Sequence, residues 1–292
     1  MSKRLVGALG LVAVLAMVAT ACGGDNTSSG EGSTSASGGA ATITTIKPGI
    51  LTVGSCLDYK PFETVPPGST QPTGFDIELT DAIAEKLGFT PADQKVEWVK
   101  ANFNTIFSAV NQGQFDLVAA AVTATGKLGN QRAQNVDFSD YYFNSTQAFT
   151  VNTTETPDLA TTDGLQSGDT VGIQSGTTGE QWAKDNLASK GVQIKAYSAA
   201  PQAFTDLEAG SITGVINDAP SSADEVKSRP NLEVVQQIET NEQYAFAFAK
   251  GNTELTDAWN KAQQEVIADG TYAQIFAKYF PGVPVPQEFQ GS

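Results

Sequence analysis

Apolar positions in this chain switch repeatedly between two spacings. Leu51 to Gly54 is a short apolar run that reads as a buried strand, and Phe75 to Leu87 sets Ile77, Ala82, Ile83 and Leu87 near one helical stripe that stops at Gly88. A strand over Val96 to Val99, a helix over Asn104 to Asn111 and an apolar strand over Phe115 to Ala121 continue the alternation. Thr146 to Val151 is extended, and a second series follows it: strand Val171 to Gln174, helix Gly179 to Leu187, strand Gln193 to Tyr197, helix Pro201 to Ala209 and strand Val215 to Ile216. Tyr244 to Ala249 forms a further strand, ahead of helices Thr253 to Ala268 and Thr271 to Tyr279. Strands that alternate with helices predict an α/β architecture of mostly parallel sheets with helices on both faces, built twice over.

The N-terminal residues follow other rules. Lys3 and Arg4, the apolar run Leu5 to Val18 and the small residues Ala19-Thr20-Ala21 ahead of Cys22 read as an export signal. The run is shorter than the roughly 20 residues that span a bilayer. The cysteine beside it fits a bacterial lipobox, so residues 1–21 are expected to be removed and Cys22 lipidated, with plain cleavage near Ala21 as the alternative. From Gly23 to Thr42 the chain holds Gly, Ser, Thr, Ala and a few acidic or amide residues, which cannot bury enough apolar surface to order themselves. Residues 22–45 are therefore expected to be a lipidated cysteine and a disordered tether. The remaining stretch of about 245 residues exceeds a usual single domain and predicts two lobes.

Charge and composition narrow the function. Without Lys3 and Arg4 the 17 basic residues become 15, and against 32 acidic ones the mature charge is 15 − 32 = −17. Nucleic acid and anionic lipid surfaces are poor partners for such a protein. Histidine is absent altogether, which removes the commonest general base and the commonest zinc ligand and with them most hydrolase and metalloenzyme readings. Cys56 would be the only thiol left after lipidation of Cys22, so packing rather than an intramolecular disulfide must hold the fold.

The stretch Gln114 to Phe143, QFDLVAAAVTATGKLGNQRAQNVDFSDYYF, strings together a buried strand, a threonine-bearing loop, one arginine and a Val-Asp-Phe-Ser turn. It resembles the ligand loop of amino-acid-binding proteins of ABC importers, the family 3 extracellular solute-binding proteins. The resemblance runs from about Lys47 to Pro281. It implies a two-lobed periplasmic-binding-protein-like fold of type II, with a ligand cleft between lobes joined by two crossing strands near residues 145–150 and 239–245. On that pattern lobe 1 comprises residues 46–146 plus 244–286, and lobe 2 residues 147–243.

The resemblance also implies a site. Arg132, four residues before Val136, matches the arginine that grips the ligand's α-carboxylate. Relatives place it three residues after the second threonine of a Thr-x-Thr loop, whereas Thr125 and Arg132 are seven apart. Four residues near Gly126 to Gly129 look inserted, and the kept spacing to Val136 predicts a bulging loop with Arg132 in place and Lys127 as the alternative carboxylate partner. Thr123 matches a ligand-bonding hydroxyl, and Ala121 nearby offers backbone. In Ser175-Gly-Thr-Thr-Gly179, a loop that opens a helix and is therefore a natural anion site, Thr178 matches the carboxylate contact from lobe 2. Asp218 in Asn217-Asp-Ala-Pro220 matches the acceptor for the ligand ammonium. Tyr59 and Phe103 match aromatics that sandwich the ligand side chain, while Cys56, Gln174 and Asn217 fall at side-chain-facing positions.

A zwitterion can enter a dry cleft only where its carboxylate meets donors and its ammonium an acceptor. Arg132 and Asp218 would fill those roles, leaving no charge among Cys56, Gln174 and Asn217 for a charged side chain. The expected ligand is an uncharged, polar L-α-amino acid, with Asp58 and Glu63 as the residues that could instead serve a basic one. The implied protein is a monomer anchored at the outer face of the cytoplasmic membrane that delivers its ligand to an ABC permease, without cofactor, metal or catalytic residue. Two alternatives remain: a receptor that reports to a sensor kinase, and a dehydratase on the same fold.

Overall fold

The computed structural model describes residues 43–291. The expected signal segment, Cys22 and residues 22–42 of the expected tether lie outside them. The chain opens with strand β1 (Leu51–Ser55), the short strands β2 (Asp58–Tyr59) and β3 (Glu63–Thr64) and helix α1 (Phe75–Lys86). Strand β4 (Val96–Lys100), helix α2 (Phe103–Asn111), strand β5 (Leu117–Val118), helix α3 (Gly126–Arg132) and strand β6 (Val136–Phe138) follow. The long strand β7 (Phe143–Asn152) then leaves this unit. Beyond it come β8 (Thr170–Gln174), α4 (Thr178–Asn186), β9 (Gln193–Tyr197), α5 (Ala200–Glu208), β10 (Gly214–Asp218) and α6 (Ala219–Lys227). Strand β11 (Leu232–Tyr244) returns to β12 (Ala247–Ala249), α7 (Thr253–Ala268) and α8 (Thr271–Tyr279).

Two five-stranded sheets result, in the orders β4-β1-β5-β12-β6 and β11-β7-β10-β8-β9, and each centres one lobe. The pairs β1–β4, β1–β5, β10–β8 and β8–β9 are parallel. This is the expected two-lobed α/β fold, but β5–β12, β12–β6, β10–β7 and β11–β7 pair antiparallel, so the sheets are mixed rather than mostly parallel. β7 and β11 pair antiparallel from Asn152 with Leu232 to Phe143 with Tyr244, and their register shifts between Ile238 and Glu242, where Asn241 takes φ 49. The irregularity falls where the chain crosses between the lobes, and a bulge there bends the ribbon.

Lobe 1 is held by an aromatic core. α1 buries Phe75, Leu79 and Ile83, and α7 buries Leu255, Trp259, Ala262 and Val266 at helical spacing, against Phe62, Tyr142, Phe143, Phe246 and Phe276. Lobe 2 packs mainly aliphatic side chains, Val171, Ile173, Leu187 and Ile216, around Phe149.

Two further expectations need correction. The strand expected over Phe115 to Ala121 keeps ladder pairing only at Leu117 and Val118, because the chain from Ala119 leaves the sheet and turns at Ala121, φ 46. The expected bulging loop after Thr125 is helix α3 instead. Gly126, φ 70, makes the turn into it, and a Cβ on Gly129 would collide with the backbone of Ala124, so glycine lets the helix lie close against the segment that precedes it.

Candidate ligand site

The cleft between the lobes is lined by Cys56, Tyr59, Glu63, Phe103, Ala120, Ala121, Thr123, Arg132, Gln174, Thr177, Thr178 and Asp218 around a cavity of about 20 Å³. That volume admits about one water, so the lobes meet directly. Nine of the ten positions singled out by sequence lie on this cavity. Asn217 does not line it; its side-chain Oδ1 lies 3.1 Å from the Tyr59 hydroxyl, whose proton goes to the nearer Asp218 carboxylate, and its Nδ2 has no partner.

Arg132 is delivered by the last turn of α3, which carries it back to the Thr123 backbone despite the inserted residues. Its side chain is buried, with 7% of its surface exposed. Nη1 donates to the Thr123 carbonyl at 2.7 Å and Nη2 to the Gly176 carbonyl at 2.9 Å, one bond to each lobe. The guanidinium lies 5.2 Å from the Phe103 ring centre and 5.1 Å from that of Phe107, a cation–π clamp that fixes the fork. Burial pulls its pKa down to about 10, opposed by the charges of Glu242 and Asp218, so it stays protonated at neutral pH. Lys127, the alternative, points to the surface and pairs with Asp185 of α4 at 3.4 Å.

Asp218 ends β10, at the carboxyl edge where open α/β sheets carry ligands. Its side chain does not cap α6 but enters the cleft. The Tyr59 and Tyr244 hydroxyls donate to Oδ2 at 2.8 and 2.6 Å, and Gln147 Nε2 donates to Oδ1 at 2.5 Å. Burial and then the Glu242 charge push its pKa up to about 6, against the pull of these bonds.

Thr177 caps α4 by accepting from the Glu180 N–H at 3.2 Å, which leaves Thr178 at the first helical position facing the cavity. Gln174 reaches toward the Ser198 carbonyl at 3.4 Å. Ala121, in its left-handed conformation, is held by its N–H donating to Asp76 at 2.8 Å. Burial and then the Glu63 charge raise the Cys56 thiol pKa, so that side chain enters the cavity neutral.

Sequence reasoning passed over two site groups and left a third undecided. Gln147 on β7 and Glu242 on β11 lie on the crossing strands, and only their place beside the hinge could have marked them. Glu63 is fully buried, neither carboxylate oxygen has a hydrogen-bond partner, and burial, then Asp76 and Asp58, raise its pKa well above the usual carboxylate range. Asp58 turns outward to Lys100 at 3.3 Å. Among the described residues no group of acidic or cysteine side chains could hold a metal ion, and no helix is long and apolar enough to cross a membrane.

Comparisons with known proteins agree on one family. The model of the bacterial extracellular solute-binding proteins, family 3, matches residues 51–282. The L-cystine-binding protein TcyA of Bacillus subtilis is 28% identical over 286 residues, covering 96% of this chain and 98% of that protein. A probable histidine-binding protein of Neisseria gonorrhoeae is 30% identical over 289 residues, covering 96% of each. The solved structure of an ancestral arginine-binding protein bound to arginine superposes with a TM-score of 0.70 at 34% identity, covering 80% of this chain and 98% of that one. These relatives are named as binding proteins rather than enzymes. By its matched residues and its two-lobed architecture, this chain belongs to the bacterial extracellular solute-binding proteins, family 3.

Proposed function

We propose that the protein captures an L-α-amino acid between its lobes, leaves it chemically unchanged and delivers it to an ABC permease. One observation carries the reading: a buried guanidinium from lobe 1 and a buried carboxylate from lobe 2 line the same small cavity. A zwitterion satisfies both, and nothing smaller in charge does. Arg132 and the backbone N–H groups of the Thr178 loop take the carboxylate; Asp218 takes the ammonium. Both sets of contacts exist together only when the lobes are closed, so ligand energy is converted into closure.

The side-chain subsite is read as uncharged and polar. Cys56 and Gln174 carry no charge, and burial, then Asp76 and Asp58, disfavours a charge on Glu63. A second reading, a basic amino acid, is favoured by Glu63 itself, since two buried carboxylate oxygens without donors are what a cationic side chain would satisfy. Calorimetric competition among glutamine, asparagine, serine, arginine, lysine and glutamate separates the two. Preference for an uncharged ligand that survives Glu63→Gln supports the first reading; preference for arginine or lysine that collapses in Glu63→Gln establishes the second. Recovery of the ligand unaltered by mass spectrometry tests the absence of turnover.

Upstream of the described residues, the lipobox supports anchoring through Cys22 at the outer face of the membrane, with the protein acting as a monomer. Metabolic labelling with a fatty acid, lost in Cys22→Ala along with membrane retention, is the expected result.

A further inference from the structure

We infer that Glu242 sets the polarity of the ligand site: it is a positioning residue that turns the hydroxyls of Thr123 and Thr178 into acceptors facing the ligand's ammonium. The inference rests on the amino-acid reading above. Glu242 lies on β11 between the register shift and Tyr244, and is buried. Its Oε2 receives the Thr123 hydroxyl at 2.6 Å and the Thr178 hydroxyl at 2.7 Å; its Oε1 receives Gln147 Nε2 at 2.9 Å and the Thr240 hydroxyl at 2.8 Å. A carboxylate offers about four acceptor positions, so Glu242 is saturated and acts on a ligand only through these neighbours.

A hydroxyl has one proton to give. Thr123 and Thr178 come from opposite lobes, both line the cavity, and both spend that proton on the same oxygen. Only lone pairs remain, and one on Thr178 already accepts from Gln147 Nε2 at 3.2 Å, so each hydroxyl can offer the cavity side an acceptor and no donor. With Asp218 they make three acceptors, which matches the three N–H donors of an ammonium. The carboxylate is thereby left to Arg132 and to backbone N–H groups, and the Thr178 hydroxyl is removed from the carboxylate role that resemblance gave it.

Glu242→Gln tests the assignment while keeping size. The donor at Gln147 Nε2 obliges the new amide to turn its carbonyl toward it, which aims the amide NH₂ at the two threonines. Their protons are then released into the cavity, opposite an ammonium. The probes are L-glutamine and L-arginine, each titrated beside its desamino analogue, glutaramic acid or 5-guanidinovaleric acid. Glu242→Gln should weaken the amino acid that wild type binds by about tenfold or more, the scale of one unsatisfied buried polar group, and its analogue by no more than about threefold. Thr123→Val should act in the same direction and Thr123→Ser should restore the ratio, which decides the matter even if Glu242→Gln does not fold. Equal losses for amino acid and analogue, or a larger loss for the analogue, would overturn the inference while leaving the amino-acid reading intact. Failure of the wild type to bind any of the twenty amino acids would overturn both.

Discussion

Lobe 1 and lobe 2 hold their halves of the site in different ways. In lobe 1 the rings of Phe62 and Phe143 lie 5.1 Å apart, those of Phe75 and Phe280 5.4 Å, and those of Tyr142 and Phe246 4.5 Å, a stiff floor of large side chains with few rotors. Arg132 is clamped by Phe103 and Phe107 of its own lobe and bonds Thr123 of its own lobe, so most of its support persists when the cleft opens. Asp218 of lobe 2 is the reverse. Two of its three donors, Tyr59 and Tyr244, come from lobe 1, and the third is Gln147, its cross-strand partner on β7 in the lobe 2 sheet. The cation is preset, and the anion gains two of its three donors by closure. An amino acid should therefore dock by its carboxylate on lobe 1 first, and its ammonium should complete the closed form.

Deleting the preset half gives the largest effect. Arg132→Ala leaves a buried ligand carboxylate without its partner, which costs about 2 to 5 kcal/mol, or roughly 30-fold to several thousand-fold in affinity. Lys127→Ala should change affinity little, because its partner Asp185 is a surface group and exposed pairs contribute about 0 to 1 kcal/mol. Isothermal titration of the two variants checks this. A larger loss in Lys127→Ala would mean that the inserted residues had moved the carboxylate contact off lobe 1.

These same residues mark how far the sequence could be read. Apolar periodicity was enough for the two α/β series, and helices α7 and α8 begin and end at the residues it indicated. The motif around Val136 was enough to single out Arg132, since its spacing from the turn is local. What local pattern could not convey was how seven residues between Thr125 and Arg132 are absorbed. They coil into α3, which depends on Gly129 packing against Ala124, a contact no periodicity encodes. Glu242 and Gln147 escaped for a related reason. They belong to the site only because β7 and β11 cross between the sheets, and in sequence they are ordinary polar residues on extended strands.

Acid separates the lobes on a scale of about tenfold. With the Asp218 pKa near 6, roughly nine-tenths of the ligand-free protein carries Asp218 protonated at pH 5, and the ammonium loses its counter-charge. Affinity should fall by about tenfold from pH 7.5 to 5. Stability moves the other way. Burial raises Asp218 to about 6 and Asp76 of lobe 1 to about 7, both above the unfolded value, so each stabilises the fold fully below that value and loses the contribution as pH rises through 6 to 7. The ligand-free protein should thus resist denaturant better at pH 5 than at pH 7.5. Asp218→Asn should abolish the pH dependence of binding, whereas Asp76→Asn should retain it and flatten only the stability curve. Loss of the binding profile in Asp76→Asn instead would place the acid-sensitive group in the preset lobe.

The smallest effect is expected at Tyr59, which with Tyr244 is one of two lobe 1 side chains that reach Asp218. Its hydroxyl occupies Asp218 Oδ2 at 2.8 Å, and a ligand ammonium must share or take that oxygen. Tyr59→Phe removes a contact between the lobes in the absence of ligand while leaving the aromatic face in the cavity. A hydrogen bond to a charged group contributes about 1.5 to 3 kcal/mol, but Tyr244 and Gln147 still donate to Asp218, so the net loss from the ligand-free closed form should be nearer 1 kcal/mol. Ligand binding replaces what the mutation removes. Affinity should therefore stay within about fivefold of wild type, with an increase where the hydroxyl had competed with the ammonium. Small-angle scattering supplies the complementary readout: without ligand the variant should be more extended than wild type, and at saturation the two should have the same radius of gyration. A large loss of affinity with unchanged scattering would show that Tyr59 binds the ligand through its hydroxyl, and that the anion site, like the cation site, is completed from lobe 1.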